Sequence, residues 1–259
     1  MKQILSIGIA VLFIGAATAS ADWSTFVIRG TPGCMPPMYP KINDVTVSGV
    51  DAKEFLITEG GMKAGWGTND VNGFKVGQLS TISIQRLDDP ARFTAGSGPA
   101  VAPYFNIWIT DGAGRFAVIA NEPSDPVWRR SGDKQWNMDW DFLKDQRAKV
   151  YETKDKSWLP NNGVGLTFED LANFTILAPS VAQLTTGWDG LGTGAPRELN
   201  TNVAYGFNWV FGDTLTNYVS GDPGYVVANP RVTVVPAPGA ALLGMIGLGI
   251  AGWVKRRAA

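Results

Sequence analysis

Two carboxylates flank an indole at Asp139-Trp140-Asp141. In an extended segment, residues two apart share a face, so both carboxylates would point one way and Trp140 the other. Glycoside hydrolysis needs only such a carboxylate pair, and oxygen ligands of the same kind suit calcium. The rest of the inventory narrows the chemistry. The 259 residues contain no His and one Cys, Cys34. That excludes a His general base, Ser-His and Cys-His nucleophiles, His-based or multi-Cys zinc sites and any disulfide within the chain. Cys34 reads as a small buried apolar residue. No G-x-S-x-G segment occurs, and the six Glu residues form no E-x-D-x-x-E array. With no complete catalytic set, Asp139 and Asp141 are read as residues of a loop or helix start. No catalytic residue is assigned, and the chain is expected not to be an enzyme.

Binding chemistry is better represented. Of the 10 Trp, four (Trp128, Trp136, Trp140 and Trp158) fall between Glu122 and Asn162, among Arg129, Arg130, Asn137 and Asp139. Indole faces stack on sugar rings, while amides and carboxylates bond the hydroxyls. Trp128, Trp136 and Trp140, with Asn137 and Asp139, therefore form the candidate glycan-binding set. No cofactor is assigned, and calcium is the one that stays open. Its candidate loops are the oxygen-rich turns Thr68-Asn69-Asp70-Val71-Asn72-Gly73 and Trp188-Asp189-Gly190. Neither has EF-hand spacing, and Asx-Gly turns form for backbone reasons alone, so no metal ligand is assigned.

The elements that must position these side chains read as strands. Thr25–Arg29, Val45–Ser48 and Phe55–Thr58 are β-branched or aromatic runs bounded by Gly, Pro and Asp. Leu79–Leu87 alternates apolar and polar residues, as a half-buried strand should. Tyr104–Thr110 and Arg115–Ala120 flank Asp111-Gly112-Ala113-Gly114, a hairpin turn whose glycines permit positive φ. Thr175–Leu177, Tyr205–Phe211, Tyr225–Ala228 and Arg231–Val235 complete the set. Helical signal is confined to Asp141–Lys149 and to Thr167-Phe168-Glu169-Asp170, which has capping-box spacing. The expected fold is all-β: a two-sheet antiparallel β-sandwich, jelly-roll or lectin-like, with short helices in its loops. Two smaller sandwiches divided near Pro123–Gly132 are the alternative.

The two ends read as processing signals. Lys2, the apolar run Ile4–Ala17 and the small residues Ala19 and Ala21 before Asp22 make residues 1–21 a signal peptide, a helix removed by signal peptidase. At the other end, Val235-Pro236-Ala237-Pro238-Gly239 leads into an uncharged stretch that ends at Val254, followed by Lys255-Arg256-Arg257. That stretch is expected to form a transmembrane helix held by its basic end on the cytoplasmic side. Lys2 orients the first helix the same way, which places the residues between outside the inner membrane. With Lys2, Lys255, Arg256 and Arg257 set aside, 18 basic face 23 acidic side chains, a net charge of −5. Such a domain is not expected to bind nucleic acid.

The order of Pro-rich motif, hydrophobic helix and basic end resembles the PEP-CTERM sorting signal of Gram-negative bacteria. Ala237 stands where that motif usually has Glu, so the variant here is V-P-A-P-G-A. The resemblance implies recognition by an exosortase, a membrane transpeptidase that removes the tail during delivery to the cell surface or matrix. The stretches Tyr104-Phe-Asn-Ile-Trp-Ile-Thr-Asp-Gly and Tyr205-Gly-Phe-Asn-Trp-Val-Phe-Gly-Asp-Thr also resemble recurrent segments of PEP-CTERM surface proteins. Gly224–Val232 resembles the last strand of galactose-binding-type jelly rolls.

The expected organisation is a signal peptide over 1–21, an extracytoplasmic β domain over 22–234 and a sorting signal over 235–259. The expected protein passes through the inner membrane transiently and ends at the cell surface or in the extracellular matrix, for instance of a biofilm. It is non-enzymatic there and associates with extracellular polysaccharide. The alternatives are a carboxylate-dependent polysaccharide hydrolase or lyase acting through Asp139 or Asp141, and a purely structural matrix protein.

Overall fold

The computed structural model describes residues 22–31, 38–89, 91–92, 102–121, 128, 136–153, 155–180, 182–183, 203–212 and 218–235. The signal sequence with Ala19 and Ala21, Cys34, the turn at Trp188–Gly190 and the tail from Pro236 through Lys255, Arg256 and Arg257 lie outside them. Among the described residues, no helix is long and apolar enough to cross a membrane.

Among the described residues, twelve strands run in chain order as β1 (Ser24–Arg29), β2 (Lys41–Val47), β3 (Val50–Leu56), β4 (Lys63–Thr68), β5 (Leu79–Arg86), β6 (Tyr104–Thr110), β7 (Phe116–Ala120), β8 (Asn137–Asp139), β9 (Lys149–Tyr151), β10 (Thr175–Ile176), β11 (Phe207–Phe211) and β12 (Tyr225–Val234). A helical turn, α1 (Trp140–Leu143), follows β8 directly. The strands form two antiparallel sheets. One has the order β1-β4-β11-β6-β7-β9, with β10 also paired to β6; the other has the order β2-β3-β12-β5-β8. β4 pairs with β11 and β5 with β12, so strands from both sides of Pro123–Gly132 interleave in each sheet. The alternative of two separate domains does not fit that interleaving.

Period-two alternation explains how the sheets meet. Phe105, Ile107 and Ile109 of β6, Ile119 of β7, and Phe207, Trp209 and Phe211 of β11 join one core cluster with Phe55 of β3, Ile82 and Ile84 of β5, and Val227 and Val232 of β12. The alternate residues of β6, Tyr104 and Trp108, join a second cluster with Val118, Val210 and Ile28. The first sheet therefore buries apolar side chains on both faces, which is why β6 reads as a nearly continuous apolar run. The second sheet is apolar toward the shared core and largely polar on the other face along β5, β8 and the end of β12.

Local chemistry closes the strands as the residues predict. In the β6–β7 turn Gly112 and Gly114 adopt φ of 81° and 88°, while Asp111 Oδ1 accepts from the Ala113 and Arg115 amides. Thr167 and Asp170 cap one another across a short 3₁₀ turn at Glu169–Leu171, and β10 follows. Two differences stand out. The stretch expected as two strands, Tyr225–Ala228 and Arg231–Val235, is the single strand β12, whose register shifts between Ala228 and Arg231. Pro230 has no N–H to donate, and a bulge is where a sheet tolerates that. The helix expected over Asp141–Lys149 is only the turn α1, because Lys149 already pairs with Ala120 in β9.

Candidate functional site

β5 is the strand that positions the site. Its polar residues Ser83 and Gln85 face away from the core, opposite Ile82 and Ile84. β8 pairs with one side of β5 so that Asn137 lies beside Ser83; β12 pairs with the other so that Arg231 lies beside the same Ser83. Asn137, Ser83 and Arg231 thus form one cross-strand row on the outer face. Trp136 immediately precedes β8 and is tied to β5 by its carbonyl, which accepts from the Ile84 amide at 2.9 Å.

These residues enclose an open groove of about 540 Å³ lined by Ser83, Gln85, Arg86, Trp136, Asn137, Asn229 and Arg231. Trp136 is half-buried: part of its indole packs on the shared core, and the rest is the groove's aromatic wall. The Arg86 guanidinium lies 4.9 Å from the Trp136 ring centroid, a cation–π contact. Asp88 grips that guanidinium through Nε at 3.0 Å and again through a second nitrogen, and the two side chains are only 2% and 1% exposed. A bidentate buried pair of this kind fixes the plane of Arg86 and therefore the indole it covers. On the opposite rim, the β12 bulge puts Asn229 at φ 49°, and its Nδ2 donates to Gln85 Oε1 at 2.7 Å. Asn accepts this left-handed conformation more readily than most residues.

The sequence-derived candidates separate in space. Trp136 and Asn137 line the groove. Trp128 is 1% exposed, packs edge-on against Phe142 and lies behind a second cleft of about 350 Å³ lined also by Arg147, Lys149 and Gly165. Its ring is part of the core and presents no open face for stacking. Trp140 is half-buried against the core at the start of α1. Trp158 donates from Nε1 to the Asp155 carbonyl at 2.8 Å and packs edge-on against Phe174.

Asp139 and Asp141 do not lie in one extended segment. Asp139 ends β8 and caps α1, accepting from the Phe142 amide at 2.9 Å, while Asp141 sits in the first turn of α1 beside Lys144 Nζ at 3.2 Å. Period two stops at Asp139 because the helix begins there. In the loop Thr68–Gly73, Asn69 Oδ1 accepts from Asn72 Nδ2 and from the Gly206 amide, both at 3.0 Å, and Thr68 Oγ1 accepts from the Asp70 amide at 3.2 Å, while Asn72 Oδ1 is buried without a hydrogen-bond partner among the described residues. Among the described residues, no group of three or more His, Cys, Asp or Glu is placed to hold a metal.

Ser83, Gln85, Arg86, Asn229 and Arg231 were not among the sequence candidates. The Asn229-Pro230 pair was the available signal, since Pro inside an apolar strand marks a bulge and bulges re-aim side chains. No family model, curated protein or solved structure matches the chain.

Proposed function

We propose that this is an exported, non-enzymatic cell-surface or matrix protein whose jelly-roll or lectin-like β-sandwich binds extracellular polysaccharide in the groove beside Trp136. The carrying observation is the groove's composition. An aromatic wall held rigid by Arg86 faces the amides of Asn137, Gln85 and Asn229 and the guanidinium of Arg231. A few fixed polar groups around an apolar surface is the pattern of ligand sites, and the volume falls in their usual range of about 300–1,000 Å³. Planar amides supply both donors and acceptors, as a polyhydroxyl ligand requires.

Delivery is proposed to follow the PEP-CTERM route, supported by the Val235–Gly239 motif, the apolar stretch after it and the Lys255-Arg256-Arg257 end. Signal peptidase and an exosortase are the processing partners, and passage through the Gram-negative inner membrane is transient.

Two experiments test the two halves. Native affinity electrophoresis of the full-length chain through gels containing extracellular polysaccharides should show retardation that Trp136→Ala removes. Equal retardation of the variant would move binding away from the groove. Intact-mass measurement of protein from producing cells should show loss of residues 1–21 and of the tail beyond about Val235. A mass that retains Gly239–Ala259 would make this a membrane-anchored protein and end the sorting reading.

A further inference from the structure

We infer that the groove selects an acidic polysaccharide, one whose sugars carry carboxylates, with Arg231 as the residue that reads the charge. The inference rests on the glycan-binding reading above and adds the ligand's chemical class. Its basis is how the charged groups around the groove are partnered. The Arg86 guanidinium is satisfied by Asp88. Carboxylates elsewhere on the same sheet are engaged too: Asp139 accepts from the Phe142 amide, and Glu54 accepts from Asn43 Nδ2 and the Gly224 amide. The Arg231 side chain makes no ion pair or hydrogen bond among the described residues, although its backbone stands in the cross-strand row with Ser83 and Asn137. Two consecutive residues just before it, Asn229 and Pro230, form the bulge that sets its direction on the sheet.

A guanidinium presents parallel N–H groups in a fork that matches a carboxylate, and hydrogen bonds to an ionised acceptor are about twice as strong as neutral ones. A hexuronate offers that carboxylate on the same ring whose hydroxyls suit Asn137 and Gln85. The domain's net charge of −5 gives the assignment its specificity. A chain of this sign is repelled by polyanions at long range, so retention by a polyuronate has to come from a local site rather than from bulk attraction.

The full-length chain, in neutral detergent, is run through native gels containing polygalacturonate, neutral dextran or dextran sulfate. Polygalacturonate should retard it most strongly. Arg231→Gln keeps a planar polar group without the charge and breaks no side-chain hydrogen bond or ion pair among the described residues; it should weaken polygalacturonate affinity about tenfold. Arg231→Lys keeps the charge without the fork and should fall between. Trp136→Ala should remove retardation in every gel. Equal retardation by dextran and polygalacturonate, or an unchanged Arg231→Gln, would overturn the acidic-ligand inference while leaving the groove reading in place. Dextran sulfate matching polygalacturonate would overturn the carboxylate assignment. Absence of retardation in all three gels would overturn the inference together with the groove reading.

Discussion

Phe55 on β3 and Phe211 on β11 stack with centroids 4.0 Å apart and planes at 14°, joining an inner strand of one sheet to an inner strand of the other. Tyr225 of β12 extends the contact, its ring 5.6 Å from that of Phe211. Both phenylalanines are fully buried. Truncation of either should cost about 3–5 kcal/mol, the transfer of a large ring plus the void it leaves. The double variant should lose less than the sum of the singles by about 0.5–1.5 kcal/mol, because the stacked pair is lost only once. Urea denaturation of the four proteins measures this. Strict additivity would mean that the sheets are not coupled through this pair.

Gly67 in β4 is a packing slot. A Cβ there would lie 2.5 Å from Asn208 Oδ1 and 2.7 Å from the Tyr205 side chain. Gly67→Ala is expected to destabilise by about 1–3 kcal/mol through overpacking. Gly49, at φ 80° with open space around the added Cβ, provides the contrast: Gly49→Ala should cost only about 1 kcal/mol, from backbone strain alone. A larger loss at Gly49 than at Gly67 in thermal unfolding would contradict this account of β4.

Asp139 separates capping from binding. Asp139→Ala removes the α1 cap and should cost about 1 kcal/mol of stability. Because the carboxylate caps α1 and is not part of the groove wall, retardation by polysaccharide should be unchanged at a temperature where both proteins are folded. Loss of reducing-end release in Asp139→Asn, with release present in the parent chain, would instead establish a polysaccharide hydrolase or lyase.

The β6–β7 turn should respond to acid. Partial desolvation alone would raise the Asp111 pKa, but the Ala113 amide, the Arg115 side chain and the Arg115 amide together outweigh it and hold the carboxyl below 3.8. The fold therefore favours the ionised form. Its stabilisation is present above 3.8 and is lost as pH falls through the lower folded-state value. Compared with Asp111→Asn, the parent should be more stable near pH 6 and lose that advantage toward about pH 2. A constant difference across that range would show that the charge contributes nothing.

Much of the fold was legible because its signals are local. The Asp111–Gly114 turn, the Leu79–Arg86 alternation and the Thr167–Asp170 reciprocal cap each depend on residues within a few positions of one another. β4 was not legible: Lys63-Ala-Gly-Trp-Gly-Thr looks like a loop, and its glycines make sense only once the Phe26 ring is seen 2.7 Å from where a Gly65 Cβ would sit. β8 and β9, at three residues each, are too short to carry a period. The candidate site was half legible. Residue type marked Trp136 and Asn137, but type does not say what covers a ring, so Trp128 looked equally available. Arg231 belongs to the site through strand register alone, a relation between segments far apart in the chain.

The last described strand starts between two partners and leaves the sheet alongside one of them. β12 is bonded to β3 on one side through Tyr225–Val227 and to β5 on the other from Val227 to Val234. Just beyond it, the Val235 amide donates to the Gln78 carbonyl at 2.7 Å, while Gln78 Nε2 donates to the Val235 carbonyl at 3.2 Å. A pull on Val235 directed along β12 would load these ladder bonds in parallel, in shear, because antiparallel bonds run perpendicular to the strand. An edge strand peeled from its free end would give way one bond at a time. The domain is thereby built to bear tension at its C-terminal exit, and the Gln78 clamp is the first bond such tension would meet.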